Sequence, residues 1–170
     1  MPSWAKDAKI GLSTINVRAE EAASKPAYRE ALKKRRCLVP ADAFYEWQRQ
    51  DAKTKQPFAI ALKSGEPYAF AGLWESWRPP QSALLETFTI LTIAPNSLTE
   101  PIHDRMPVIV EPTDYDRWMD PSTAPPLDLL RPYPANQMRA WPVGEQVGNM
   151  RNNSPNLLDE VHDTQQPLFS

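Results

Sequence analysis

Nineteen prolines stand against five glycines in a chain of 170 residues. Proline lacks the amide hydrogen that helix interiors and central strands use, so the chain is predicted to fold into short strands, short helices and many rigid turns. The length suits one sizeable core and is too small for two comfortable domains. The expected organisation is a single domain over residues 1–158 followed by a disordered tail over 159–170.

Hydrophobic residues make up 41% of the chain and charged residues 24%, a mixture that excludes wholesale disorder. No apolar run approaches the roughly 20 residues that cross a bilayer, and Met1–Asp7 lack the pattern of a signal peptide, so a cytoplasmic protein with no membrane partner is expected. The single cysteine, Cys37, excludes an intramolecular disulfide and a multi-cysteine zinc site. With two histidines, His103 and His162, no metal or other cofactor is expected. The formal net charge of −2 gives no overall basic footprint for nucleic acid. The stretch Lys25 to Arg36 is nevertheless locally basic: Lys25, Arg29, Lys33, Lys34, Arg35 and Arg36 face one acid, Glu30.

From Ser13 to Glu20 the chain alternates, with Ile15, Val17 and Ala19 on one side and Asn16, Arg18 and Glu20 on the other, which predicts a strand. A helix is predicted from an N-cap at Ser24, with Pro26 in its first turn, an apolar stripe of Ala27, Tyr28, Ala31 and Leu32, and Arg29, Lys33 and Arg36 opposite. Further strands are predicted at Cys37–Trp47, interrupted at Pro40, and at Phe58–Lys63 and Tyr68–Glu75, the last two joined as a hairpin through Ser64-Gly65-Glu66-Pro67. Glu86–Ala94 and Met106–Val110 complete an antiparallel set. A short helix follows at Thr113–Met119, then a proline-rich loop to Pro134 and a last strand at Arg139–Val143.

Several residues suit chemistry. Asn16, Arg18 and Glu20 would project an amide, a guanidinium and a carboxylate from one strand face, to line a pocket or simply to meet solvent. Glu46, in Phe44-Tyr45-Glu46-Trp47, is flanked by aromatic rings; burial among them would raise its pKa and fit it to donate a proton, whereas a solvent-facing position would not. His103 lies in Pro101-Ile102-His103-Asp104-Arg105-Met106-Pro107, a loop stiffened at both ends, where it is either a titrating site residue or a structural partner of Asp104. Cys37 follows four basic residues, but it opens the apolar run Cys37-Leu38-Val39 and is expected to be a small buried hydrophobe. Glu46 and Glu75 as a glycosidase pair have nothing to fix their separation, and His162 falls in the expected tail.

These stretches, together with Pro2-Ser3-Trp4-Ala5, Arg36-Cys37-Leu38-Val39-Pro40-Ala41, Phe70-Ala71-Gly72-Leu73-Trp74-Glu75 and Val147-Gly148-Asn149-Met150-Arg151-Asn152, resemble the SOS-response-associated peptidase family of abasic-site processing proteins, in order from the first residue to about Asn152. The resemblance implies an α+β fold with an antiparallel, barrel-like sheet and flanking helices. It implies a partner, single-stranded DNA containing abasic sites, and a covalent thiazolidine link made by an amino-terminal cysteine, with self-processing peptidase and lyase activities. By the same resemblance the catalytic residues are Asn16, holding the sugar, Glu46, moving protons around ring opening and release, and His103, assisting imine formation; Arg18 and Arg105 grip phosphates. The family's opening Met-Cys-Gly-Arg segment is not matched, so the expected domain is incomplete at its amino terminus, with an exposed sheet edge. Two alternatives accompany this reading: a non-catalytic single-stranded-DNA-binding module or inactive fragment, and a lyase that uses Pro2 as a terminal secondary amine.

Overall fold

A computed structural model of the chain describes residues 5, 11, 14–78 and 83–161. Pro2, His162 and the rest of the expected tail lie outside the described residues, although Glu160 still bridges Val143 and the Val161 amide donates to Pro142 O at 3.0 Å.

The strands are β1 (Asn16–Arg18), β2 (Arg36–Ala41), β3 (Phe44–Arg49), β4 (Lys55–Leu62), β5 (Tyr68–Trp77), β6 (Leu85–Ile93), β7 (Met106–Pro107), β8 (Ile109–Val110) and β9 (Met138–Pro142). The helices are α1 (Ala19–Ala22), α2 (Arg29–Lys34) and α3 (Tyr115–Met119), with short 3-10 turns between and after. The main sheet runs β1-β6-β5-β2, with β7 on β6 and β8 on β5; the second sheet is β3-β4-β9. The result is a mixed α+β fold whose sheet curls into a half-barrel.

Three expectations need correction. The hairpin between β4 and β5 does not form, because β4 is flanked by β3 and β9, and β5 by β2 on one side and by β6 and β8 on the other. Neither strand has a free edge for the other, so Gly65, at φ 74°, carries the chain around a corner from one sheet to the next. Strand β1 stops at Arg18, and Ala19 and Glu20 open α1 instead. It pairs with β6 in parallel, the one departure from the antiparallel set among the described residues. The helix expected at Ser24 begins at Arg29, because the Ser24 hydroxyl donates back to Glu21 O at 3.0 Å and so finishes α1 rather than capping α2.

Strand alternation builds two cores. Val17, Leu91, Ala71 and Leu73 turn toward α1, α2 and the fully buried Trp118 of α3. Phe70, Val39 and Ile90 lie on the other side with Phe44, Phe58, Ile60 and Met138 of the second sheet. Phe44 and Phe70 meet edge to face at 5.8 Å and tie the sheets together. Gly72 sits where β2 crosses closest: a Cβ there would lie 2.8 Å from Cys37 Sγ and 3.0 Å from Val39 Cγ2.

The basic stretch is largely satisfied internally. Arg36, placed on the solvent face at first reading, is 6% exposed and donates to the carbonyls of Leu32, Lys33, Trp118 and Asp120. Its guanidinium serves because it alone has enough donors for the carbonyls that α2 and α3 leave unmade. Arg35 is held by Glu75, Lys33 by Glu30 and Lys25 by Glu21. Arg35 and Arg36 are thus committed within the fold, while Lys25, Arg29, Lys33 and Lys34 remain exposed.

Candidate functional site

Glu46 occupies the middle of β3, on the face shared by Phe44, which enters the second core, and Gln48, whose Nε2 donates to Pro101 O at 2.9 Å. Strand alternation sends Tyr45 and Trp47 to the opposite face. Burial pushes the Glu46 carboxyl above its ordinary value; nearby His103 pulls it down in part, and Asp104 adds to the rise.

The loop carrying His103 is stiff for a reason beyond its prolines. Asn96 Oδ1 accepts the Leu98 and Thr99 amides, each at 3.0 Å, and the fully buried Thr99 offers its carbonyl to the Ile102 and His103 amides, each at 2.9 Å. His103 Nδ1 then stands 3.9 Å from Glu46 Oε2 and 3.3 Å from Asp104 Oδ1. It also lies 3.1 Å from both the amide nitrogen and the carbonyl oxygen of Arg105. Glu46 and His103, distant in sequence, are thus brought together across two sheets, within reach of one bridging water or small substrate group.

Arg105 turns the other way. Its Nη1 and Nη2 donate to the two oxygens of Glu20 at 3.0 and 2.8 Å, and Nη2 also reaches Thr92 O. Its Nε is buried and has no partner among the described residues. Of five N–H donors, one on Nη1 remains to meet a ligand. Glu20, expected on one strand face with Asn16 and Arg18, is the partner of Arg105, and this contact holds its carboxyl below the ordinary value of 4.5.

Asn16 and Arg18 are exposed on β1, with Val17 between them buried. Asn16 is in register with Ile90, and Arg18 with Thr92, which is itself in register with Pro107. Because Ile90 packs toward the second sheet, Asn16 shares the side of the main sheet on which Glu46 lies. Asn16 and Arg18 thus project from the side of the main sheet that faces the second sheet, while the Glu20–Arg105 pair sits behind the His103 loop.

Cys37 does not join these residues. It is in register with Gly72 on β5, its carbonyl accepts Trp118 Nε1 at 2.9 Å, and burial pushes its thiol up to about 11. Glu75 is bound to Arg35 and is no second carboxylate for Glu46. Among the described residues no group of three or more His, Cys, Asp or Glu side chains could hold a metal ion. No helix among them is long and apolar enough to cross a membrane. The contributions of Thr92 and Gln48 were invisible to motif reasoning, since each acts through a pairing set by tertiary structure.

Residues 1–150 match the family model described as SOS response associated peptidase (SRAP). The abasic site processing protein YoqW of Bacillus subtilis (strain 168) is 48% identical over 162 residues, covering 94% of this chain and 72% of its own length. The abasic site processing protein HMCES of Xenopus tropicalis is 33% identical over 189 residues, 97% of this chain and 56% of its own. An X-ray structure of a protein from Bacteroides thetaiotaomicron superposes with a TM-score of 0.85 at 28% identity, over 95% of this chain and 73% of that one.

Proposed function

This chain belongs to the SOS response associated peptidase (SRAP) family, and from that premise we propose that it recognises abasic sites in single-stranded DNA and manages proton transfer at the exposed sugar. The observation that carries this reading is the approach of Glu46 to His103, 3.9 Å apart; Asn16 and Arg18 project from the side of the main sheet that faces Glu46.

An abasic deoxyribose exists as a closed hemiacetal and an open aldehyde, and interconverting them moves one proton on and one proton off. An acid whose pKa is raised by burial and a neighbouring imidazole suit those two transfers. Asn16 can donate to and accept from the sugar hydroxyls. Arg18 is exposed and offers its whole fork to a phosphate, while Arg105 contributes the single donor that Glu20 and Thr92 leave.

The covalent thiazolidine link, and the peptidase and lyase activities, belong to the amino-terminal cysteine that the family resemblance implies. Cys37 is no substitute: its thiol is held up to about 11 by burial and it carries no free amine. Cys37 therefore offers no route to that link, and binding without linkage is the alternative outcome that the test separates.

The test is incubation with single-stranded DNA carrying one abasic site, beside an intact strand and an abasic duplex. Preferential binding to the abasic single strand is expected. Equal affinity for all three sinks the proposal. A band shift that survives denaturing electrophoresis selects the covalent reading, and one lost on denaturation selects the binding module.

A further inference from the structure

We infer that Glu20 is a positioning residue of this site: its carboxylate anchors the Arg105 guanidinium and, through it, the Arg105 backbone against which the His103 ring rests. The inference rests on the reading of His103 as a proton carrier, but its test uses no DNA.

A ring that takes up and releases a proton at Nδ1 needs a partner in each state. Arg105 supplies both. Its amide, 3.1 Å away, donates to a bare Nδ1; its carbonyl, also at 3.1 Å, accepts from a protonated one. This double service depends on where the Arg105 backbone stands, and its own side chain fixes that. The guanidinium is clamped by both Glu20 oxygens from α1 and by Thr92 O from β6, so a helix and a strand grip one residue of the loop. Without Glu20 the carbonyl of Thr92 alone remains, and a released guanidinium is free to pair with Asp104 or Glu46 in place of the imidazole. The charged groups around the ring are Glu46 from β3, Asp104 and Arg105 from its own loop and, behind Arg105, Glu20 from α1.

The chain contains two histidines, so the ring nitrogens of His103 are readable by heteronuclear NMR, assigned by comparison with His103→Gln. In Glu20→Ala both ring-nitrogen shifts of His103 are expected to move toward those of an unrestrained imidazole. Glu20→Gln, which keeps one hydrogen bond to Arg105, should move them less. Glu21→Ala, which removes the neighbouring exposed pair with Lys25, should not move them. Unchanged His103 shifts in Glu20→Ala, with native circular dichroism, overturn the inference. Should Glu20→Ala fail to fold, Arg105→Lys breaks the same two-pronged contact from the other side, and the same two outcomes decide. Shifts that move in a protein that ignores abasic DNA overturn the proposed function and leave this inference standing.

Discussion

Glu46 and Glu20 are carboxylates of opposite character, and pH separates them. Burial holds the Glu46 pKa above its unfolded value, so its favourable contribution is present below that value and is lost as pH rises through the folded one. Glu46→Gln is therefore expected to raise the melting temperature at pH 7, by about 2 °C or more, with no gain below the ordinary carboxylate range, while abolishing any sugar chemistry. Glu20 has the reverse sign: its pKa is held down by Arg105, so its contribution is present above its ordinary 4.5 and is lost as pH falls through the lower folded value. A thermal shift series between pH 7 and pH 3 on wild type, Glu46→Gln and Glu20→Gln checks both signs. The two arginines also part company. Arg18→Ala is expected to reduce the salt dependence of DNA binding by about one counterion, and Arg105→Ala by clearly less, because its donors are already committed. Equal slopes for the two variants would show that the Glu20 clamp opens on binding. At this scale the sequence displays residue types well and partners poorly: Glu46 and His103 stand out as chemistry, whereas Glu20 reads as a strand residue beside Arg18 because the alternation conceals the switch from strand to helix at Ala19.

The elements were legible wherever alternation or turn chemistry is local. Strands β4, β5, β6 and β9 fall within a few residues of their predicted spans, and the short helix ending at Met119 is present as a 3-10 turn running into α3. Pairing was not legible, because it is decided by which edges remain free once distant strands arrive. Gly65 supports a tight turn as its residue type suggests, but β9, over seventy residues later, takes the place that a hairpin partner would fill. The start of α2 misled for a related reason: a serine hydroxyl caps whichever helix end offers it a partner, and here that is the carbonyl of Glu21. One element-level consequence is testable at Gly72. The added methyl of Gly72→Ala meets Cys37 Sγ and Val39 Cγ2 on a strand flanked on both sides, so it is expected to cost about 1–3 kcal/mol. Chemical denaturation measures this, and pairing the change with Cys37→Ala, which removes the closest contact, should recover part of the loss. The same Cys37 thiol should resist alkylation at pH 8 in the native state and react once the chain is unfolded.

At the scale of the molecule, the exposed apolar side chains are unevenly spread. Trp74 and Phe88, in register on neighbouring strands, are 37% and 56% exposed, and Ile15, Leu84 and Leu85 add to the apolar surface of the main sheet. That sheet begins and ends in β1 and β2, neither of which has a second strand partner among the described residues, although Trp118 covers one carbonyl of β2. Unpaired edges and apolar rings of this kind favour self-association. Sedimentation is expected to show concentration-dependent association that Phe88→Lys weakens. The family resemblance implies that Glu46 and His103 serve one site, but no motif gives their spacing, because it depends on how the two sheets stack around Phe44 and Phe70. Glu46 rides on one sheet, and His103 on a loop strung between two strands of the other. Their separation is therefore a gauge of shear between the layers. A conservative trim inside the molecule, such as Phe70→Leu, should slide one layer against its neighbour and detune the acid and the imidazole while the protein still melts cooperatively, so that loss of chemistry would be the earliest sign of a loosened interior.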